Sequence, residues 1–302
     1  MKKYKPLVLP ISMIAGVLFY EWMDSLVFLS PYLIFIMLVI TYCRVEPREF
    51  RIGKFQFHLL LVQLAMSGIA YGIFSIFSHT LAEGVFICVF IPTATAAPVI
   101  TGMLGGSITK LVSYSLTSNL ACAVLGPVIL AAIGDHPDMG FQESFNLICS
   151  RVLPLLILPM ITALVLRYTW RKFHDTLANH QSISFYIWAV SLFIVVGSSV
   201  SFLIKNYKPG DLWIIVALCA GALLVCLLQF KIGRAVGGIY GDKVSGGQGL
   251  GQKNTVLAIW LALTYLNPIA SVAPAAYVAW QNVLNSWQIM RHNRKMDTKK
   301  AG

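Results

Sequence analysis

Apolar positions along this chain fall into runs of about 20 residues, the length needed to cross a hydrocarbon layer, separated by short polar stretches. The runs predict ten membrane-spanning helices near 7–22, 25–43, 57–78, 81–104, 107–133, 144–168, 183–204, 211–231, 244–265 and 268–290. Two are interrupted. The fourth contains Pro92-Thr93-Ala94-Thr95-Ala96-Ala97-Pro98, whose prolines remove backbone donors and clash with the preceding turn. The ninth contains Gly246-Gly247-Gln248-Gly249-Leu250-Gly251-Gln252-Lys253-Asn254, where glycine disfavours helix. Pro92, Pro98, Gly247 and Gly251 are the expected helix breakers. The fourth and ninth runs hold the same place in two five-helix halves. An odd number of spans per half makes the second half enter the membrane in the opposite sense. The pattern therefore predicts one all-α polytopic domain over 1–302, with inverted repeats of about 1–140 and 141–302. Paired discontinuous helices in such repeats point to the binding site of a secondary transporter.

Composition agrees with this class: 57% of the residues are hydrophobic and 12% charged, with a mean hydropathy of +0.74, whereas soluble domains carry about 25% charged residues. The basic start, Met1-Lys2-Lys3-Tyr4-Lys5, leads into an apolar run without a small-x-small cleavage site and is expected to remain as the first span. The net charge of +11 gains meaning from its placement. With a cytoplasmic N-terminus, nineteen of the 23 Lys and Arg lie on the cytoplasmic side and only Lys205 and Lys208 outside. This asymmetry predicts a multi-pass protein of the cell membrane, with both termini cytoplasmic, its charge read by lipid and not by nucleic acid. All twelve acidic residues fall in loops or at span ends. The six cysteines are scattered through apolar runs, and the histidines lack metal-ligand spacing, so neither a metal nor a cofactor is expected. With no nucleophile motif and no acid near mid-membrane, catalysis is not expected either.

Two cations fall inside spans. Arg151 lies about two turns from the start of its helix, where snorkelling to the headgroups explains it. Lys253 lies deeper, in a broken segment. A charge at that depth is tolerated where it meets a partner, a ligand or water, which makes Lys253 the first functional candidate. Freed amides at such a break, with the ammonium added, favour an anionic substrate group.

At these residues the chain resembles the bile acid:sodium symporter family. The resemblance runs from the third span to the tenth: Gln63, then Pro92 to Thr101 (family pattern near P-G-G-T-A-S-N-V), then Gly251 and Asn254 (E-V-G-M-Q-N), then Trp280-Gln281-Asn282 (resembling W-H-N). It implies a core of helices 3–5 and 8–10, a panel of helices 1, 2, 6 and 7, crossing helices 4 and 9, and an organic anion, bile-acid-like or a small carboxylate, bound between core and panel. The departures concern sodium. Where relatives place Ser-Asn the chain has Ala97-Pro98, where they place Glu it has Gly249, and where they place Gln it has Lys253. Gln63 remains, and Ser115 replaces one hydroxyl. An ammonium repels a nearby cation, so Lys253 is expected to stand in for sodium and make transport sodium-independent.

The expected substrate-binding residues are Lys253, Asn254, Thr95, Asn119, Gln281 and Asn282, with Gln63, Ser115, Gly249 and Lys253 as the remnant of the ion site. Lys253 is expected to donate to freed carbonyls at the crossing or to the substrate's anionic end. Two alternatives stay open at this level: a sodium- or proton-coupled symporter of the same fold, protons entering through Lys253, and a membrane sensor that binds without transporting.

Overall fold

The computed structural model describes residues 5–44, 53–94, 97–134, 140–206 and 209–301. Among these the α-helices are α1 (Lys5–Leu18), α2 (Tyr20–Met23), α3 (Ser30–Cys43), α4 (Lys54–Ser75), α5 (His79–Phe90), α6 (Ala97–Met103), α7 (Ile108–Ile133), α8 (Phe141–Thr169), α9 (Arg171–Asn179), α10 (Gln181–Asn206), α11 (Leu212–Ile239), α12 (Lys243–Gly251), α13 (Thr255–Tyr265) and α14 (Val272–Ala301). Extended pairing among the described residues is a single antiparallel bridge, Thr93 with Lys253. The protein is all-helical, and five described helices, α4, α7, α8, α10 and α11, are long and apolar enough to cross a membrane. The fourth and ninth runs each divide into two shorter helices, α5 with α6 and α12 with α13.

The helices pack in two groups. α1, α2 and α3 gather on α10, with α8 against α3, while α5 and α14 pack on α11, α4 lies against α5, and α12 lies along α11. α7 touches α4, α6, α8 and α12, and α13 reaches α10 and α3 from its contacts with α5 and α14. One apolar cluster is built around Leu130, Ile148, Leu192 and Ile259, and a second around Val85, Leu218 and Tyr277.

The glycine run does not break its helix, contrary to expectation. Gly247 lies inside α12 and Gly251 is its last residue; the interruption falls at Gln252–Asn254. The glycines instead permit close approach of two helices. A Cβ on Gly246 would lie 2.2 Å from the carbonyl oxygen of Gly233, and one on Gly233 would lie 2.3 Å from that of Gly246. Gly247 meets Arg234 and Gly251 meets the Phe230 ring in the same way. Pro98 also departs from its expected role, sitting second in α6, where a missing N–H costs nothing. Pro92 does lie in the interruption.

At one end of the bundle Asp242 joins two helix starts. Its carboxylate accepts from Ser245 N at 2.9 Å, capping α12, and from Ser107 N at 3.0 Å, at the start of α7. Burial works against its ionisation, but hydrogen bonds from Ser245 and Ser107 and the charge of Lys110 outweigh that and hold the carboxyl below its usual range. Glu83, expected at a span end, is fully enclosed in α5, with Oε2 accepting from Asn267 N at 3.1 Å. Residues 170–180, expected as a connection, include the short helix α9.

Candidate functional site

The two interruptions meet and pair backbone to backbone. Past the end of α5, Ala94 N donates to Gln252 O at 3.0 Å; past the end of α12, Asn254 N donates to Pro92 O at 2.9 Å. Backbone polar groups freed inside a protein must find partners, and here each break supplies the other's. Thr93 adds two ties: its hydroxyl donates to Gly249 O at 2.9 Å, and its amide donates to Ser118 Oγ of α7 at 3.3 Å.

The C-terminal ends of two half-helices thus meet, each presenting unpaired carbonyls and partial negative charge. Side chains from four helices cover them. Gln63 of α4 donates to Phe90 O and Ile91 O, and the Cys122 thiol of α7 donates to Phe90 O at 3.1 Å. Gln229 of α11 donates to Cys88 O at 3.3 Å, and the Tyr277 hydroxyl of α14 donates to Gly251 O at 2.8 Å. Into this collar of carbonyls comes Lys253. Its side chain is 0% exposed and Nζ donates to Ile91 O at 3.0 Å. Its backbone is fixed by Gln281, whose Oε1 accepts from Lys253 N at 2.9 Å while Nε2 reaches Lys253 O at 3.5 Å. A buried ammonium needs compensation of this kind, because desolvation alone would expel it.

The remaining predicted residues take distinct positions. Gln63 is a donor to carbonyls, and its Oε1 accepts from the Tyr114 hydroxyl. Gly249 lies under the Tyr114 ring, where an added Cβ would come 2.9 Å from Cδ1. The backbone carbonyl of Ser115 accepts from Asn119 Nδ2 at 2.7 Å and from Ser118 Oγ at 3.1 Å. Asn254 caps α13, with Oδ1 accepting from Leu257 N at 3.3 Å. Asn282 donates to Val278 O of its own helix at 2.8 Å. Thr95 lies outside the described residues.

Beside the bridge, buried polar atoms remain without hydrogen-bond partners: both side-chain polar atoms of Gln252, Nδ2 of Asn254 and Oγ1 of Thr255, with Oδ1 of Asn119 on α7. Each such group costs about 1–3 kcal/mol if left unmet. Unmet groups of this kind are places where a hydrogen-bonding solute or water gains most. Gln252, Tyr114, Gln229 and Tyr277 were not among the expected site residues. Gln229 did carry a signal, as a lone amide in the apolar stretch Leu223–Phe230.

No family model matches the chain. It is 21% identical over 242 residues to the uncharacterized sodium-dependent transporter YocS of Bacillus subtilis (strain 168), an alignment covering 80% of this chain and 73% of that protein.

Proposed function

We propose that the chain is a secondary transporter, a divergent member of the bile acid:sodium symporter family, that carries an organic anion across the cell membrane by alternating access. In this reading the ten spans form two inverted repeats, both termini are cytoplasmic, and the α5–α6 and α12–α13 breaks are the crossing fourth and ninth helices. The group on α11 is the core, and the group on α10 is the panel that rocks against it. The name of the Bacillus subtilis relative, a sodium-dependent transporter, supports transport. The coupling proposed here differs from that name.

One observation carries the departure: the Lys253 side chain, enclosed, with Nζ donating to Ile91 O where two carbonyl ends meet. Those carbonyls are the hard oxygen ligands that an alkali cation would use. Their negative ends already face a fixed cation, and the position of the relatives' carboxylate is Gly249, packed under Tyr114. The residues present do not fit sodium. Lys253 holds the crossing together, and transport runs without a sodium gradient. The unpaired atoms of Gln252, Asn254, Thr255 and Asn119 meet the solute, while Gln281 positions the break.

The test is uptake of radiolabelled organic anions, from benzoate to cholate, into proteoliposomes with sodium replaced by N-methylglucamine. Saturable, exchangeable uptake in both media supports the reading. Uptake that requires sodium refutes the coupling, and binding without uptake into sealed vesicles identifies a sensor.

A further inference from the structure

A cavity of about 600 Å³ opens at the end of the bundle where α2 leads into α3, α10 ends and α13 ends. Its size lies within the range that holds small organic ligands, roughly 300–1,000 Å³. Both helix groups contribute walls: Asp24, Arg151 of α8, Phe202 and Lys205 from one, and Trp260 and Thr264 of α13, which contacts α5 and α14 of the other. α13 connects this cavity to the crossing. Thr264 stands nine residues beyond Thr255, about 13 Å along the helix axis at 1.5 Å per residue.

The charges in the cavity are unevenly committed. Lys205 is paired with Asp24, whose two oxygens also accept from Ser198 and Ser201 hydroxyls at 3.2 Å and 2.8 Å. That acid and that base cancel. Arg151 forms no ion pair with a carboxylate among the described residues, and it lines the cavity. Next to Thr264 in the chain, Tyr265 has a buried hydroxyl with no hydrogen-bond partner among the described residues. The rest of the wall is largely apolar and includes the Trp260 indole and the Phe202 ring. One uncompensated guanidinium facing aromatic walls is the complement of an amphipathic monoanion. The planar fork takes two oxygens of a carboxylate or sulfonate, and the rings take the apolar body.

We propose that Arg151 is the anion-recognition residue of this cavity and that it selects, as cargo, organic monoanions with one carboxylate or sulfonate head and a flat apolar body. The inference rests on the transport reading above, and it places the first binding site of the solute about 13 Å from the crossing. An anionic lipid headgroup offers Arg151 the same chemistry, so the test must separate the two sources.

The test uses the full chain in nonionic detergent, with affinities for 2-naphthoate, cholate and the neutral isostere 2-naphthamide measured by calorimetry and melting shift. The carboxylates are expected to raise the melting temperature, and 2-naphthoate to bind at least about tenfold more tightly than the amide, equivalent to about 1.4 kcal/mol. Arg151→Gln removes that preference, and Arg151→Lys, which keeps the charge but not the fork, retains only part of it. Thr264→Glu, which places a like charge in the cavity, abolishes carboxylate binding. Equal binding of acid and amide, equal affinity in Arg151→Gln, or no binding by either carboxylate overturns the proposal. So does an Arg151-dependent melting shift given by phosphatidylglycerol alone. The comparison of acid with amide on unaltered protein stands even if an Arg151 variant fails to fold. Binding is read in detergent without an ion gradient, and coupling is read by uptake with and without sodium, so failure of the coupling reading and failure of the cavity proposal give different results.

Discussion

Replacing Lys253 with Met keeps an unbranched side chain of similar reach but removes the charge, and the structure sets opposing consequences for stability and for transport. The lost contact is one charge-assisted hydrogen bond, Nζ to Ile91 O at 3.0 Å, which contributes about 1.5–3 kcal/mol. Against it stands the cost of keeping an ammonium out of water, several kcal/mol for a buried ion. Ile91 O is not orphaned, because Gln63 Nε2 still donates to it at 3.1 Å. The two effects nearly cancel. Lys253→Met should therefore unfold within about 2 kcal/mol of the wild type, in either direction, while anion flux falls at least about tenfold, about 1.4 kcal/mol in a barrier. Lys253→Glu is the contrasting variant. It sets a carboxylate toward Ile91 O, the carbonyl that Nζ meets, and should cost about 3–5 kcal/mol. Chemical unfolding in detergent, alongside proteoliposome flux, reads both quantities. A Met variant with full flux would refute the role assigned to the charge. One as unstable as the Glu variant would refute the cancellation.

Gly249→Ala should destabilise by about 1–3 kcal/mol in the same unfolding assay, because its Cβ meets Tyr114, which is fully buried and tied to Gln63 and so unable to retreat. Gly246→Ala should cost more, about 3 kcal/mol, since the clash is with backbone, Gly233 O at 2.2 Å. Tyr277→Phe should cost about 1–3 kcal/mol by leaving Gly251 O without its donor and removing the hydroxyl that accepts from Gln229. Asp24 gives a pH dependence. Burial opposes its ionisation, but bonds from Lys205, Ser201 and Ser198 and the Lys205 charge hold its carboxyl below the ordinary 3.8. Its contribution is present above pH 3.8 and is lost as pH falls through the lower folded value. The melting difference between wild type and Asp24→Asn should close over that acid range, and a gap that stayed constant would contradict the assignment.

The break at Pro92 was legible because its cause is local and chemical, whereas the expected breakers Gly247 and Gly251 lie within α12. Proline cannot donate, and a lone lysine among apolar residues demands an explanation. The meaning of the glycines was not legible. A glycine that loosens a helix and one that admits a neighbouring helix look alike in one dimension, and Gly246 and Gly247 are of the second kind. The interruption at Gln252–Asn254 arises where backbone pairing with Pro92 and Ala94 replaces helical bonding, and that pairing joins residues about 160 positions apart in sequence. Amides within spans were ambiguous for a related reason. Asn282 is satisfied by the carbonyl one turn back, Asn119 leaves only its oxygen unmet, and Gln281 holds the Lys253 backbone. Only packing separates these outcomes, and it also disclosed the donors Gln229 and Tyr277 and the cavity that Arg151 lines.

The claim that a fixed ammonium takes the place of a coupling ion is tested most directly by initial rates of anion uptake into proteoliposomes, with sodium chloride or N-methylglucamine chloride on both sides. Rates that superimpose in the two media, and that fall together in Lys253→Met, are the predicted result. A wild-type rate that collapses without sodium would contradict it.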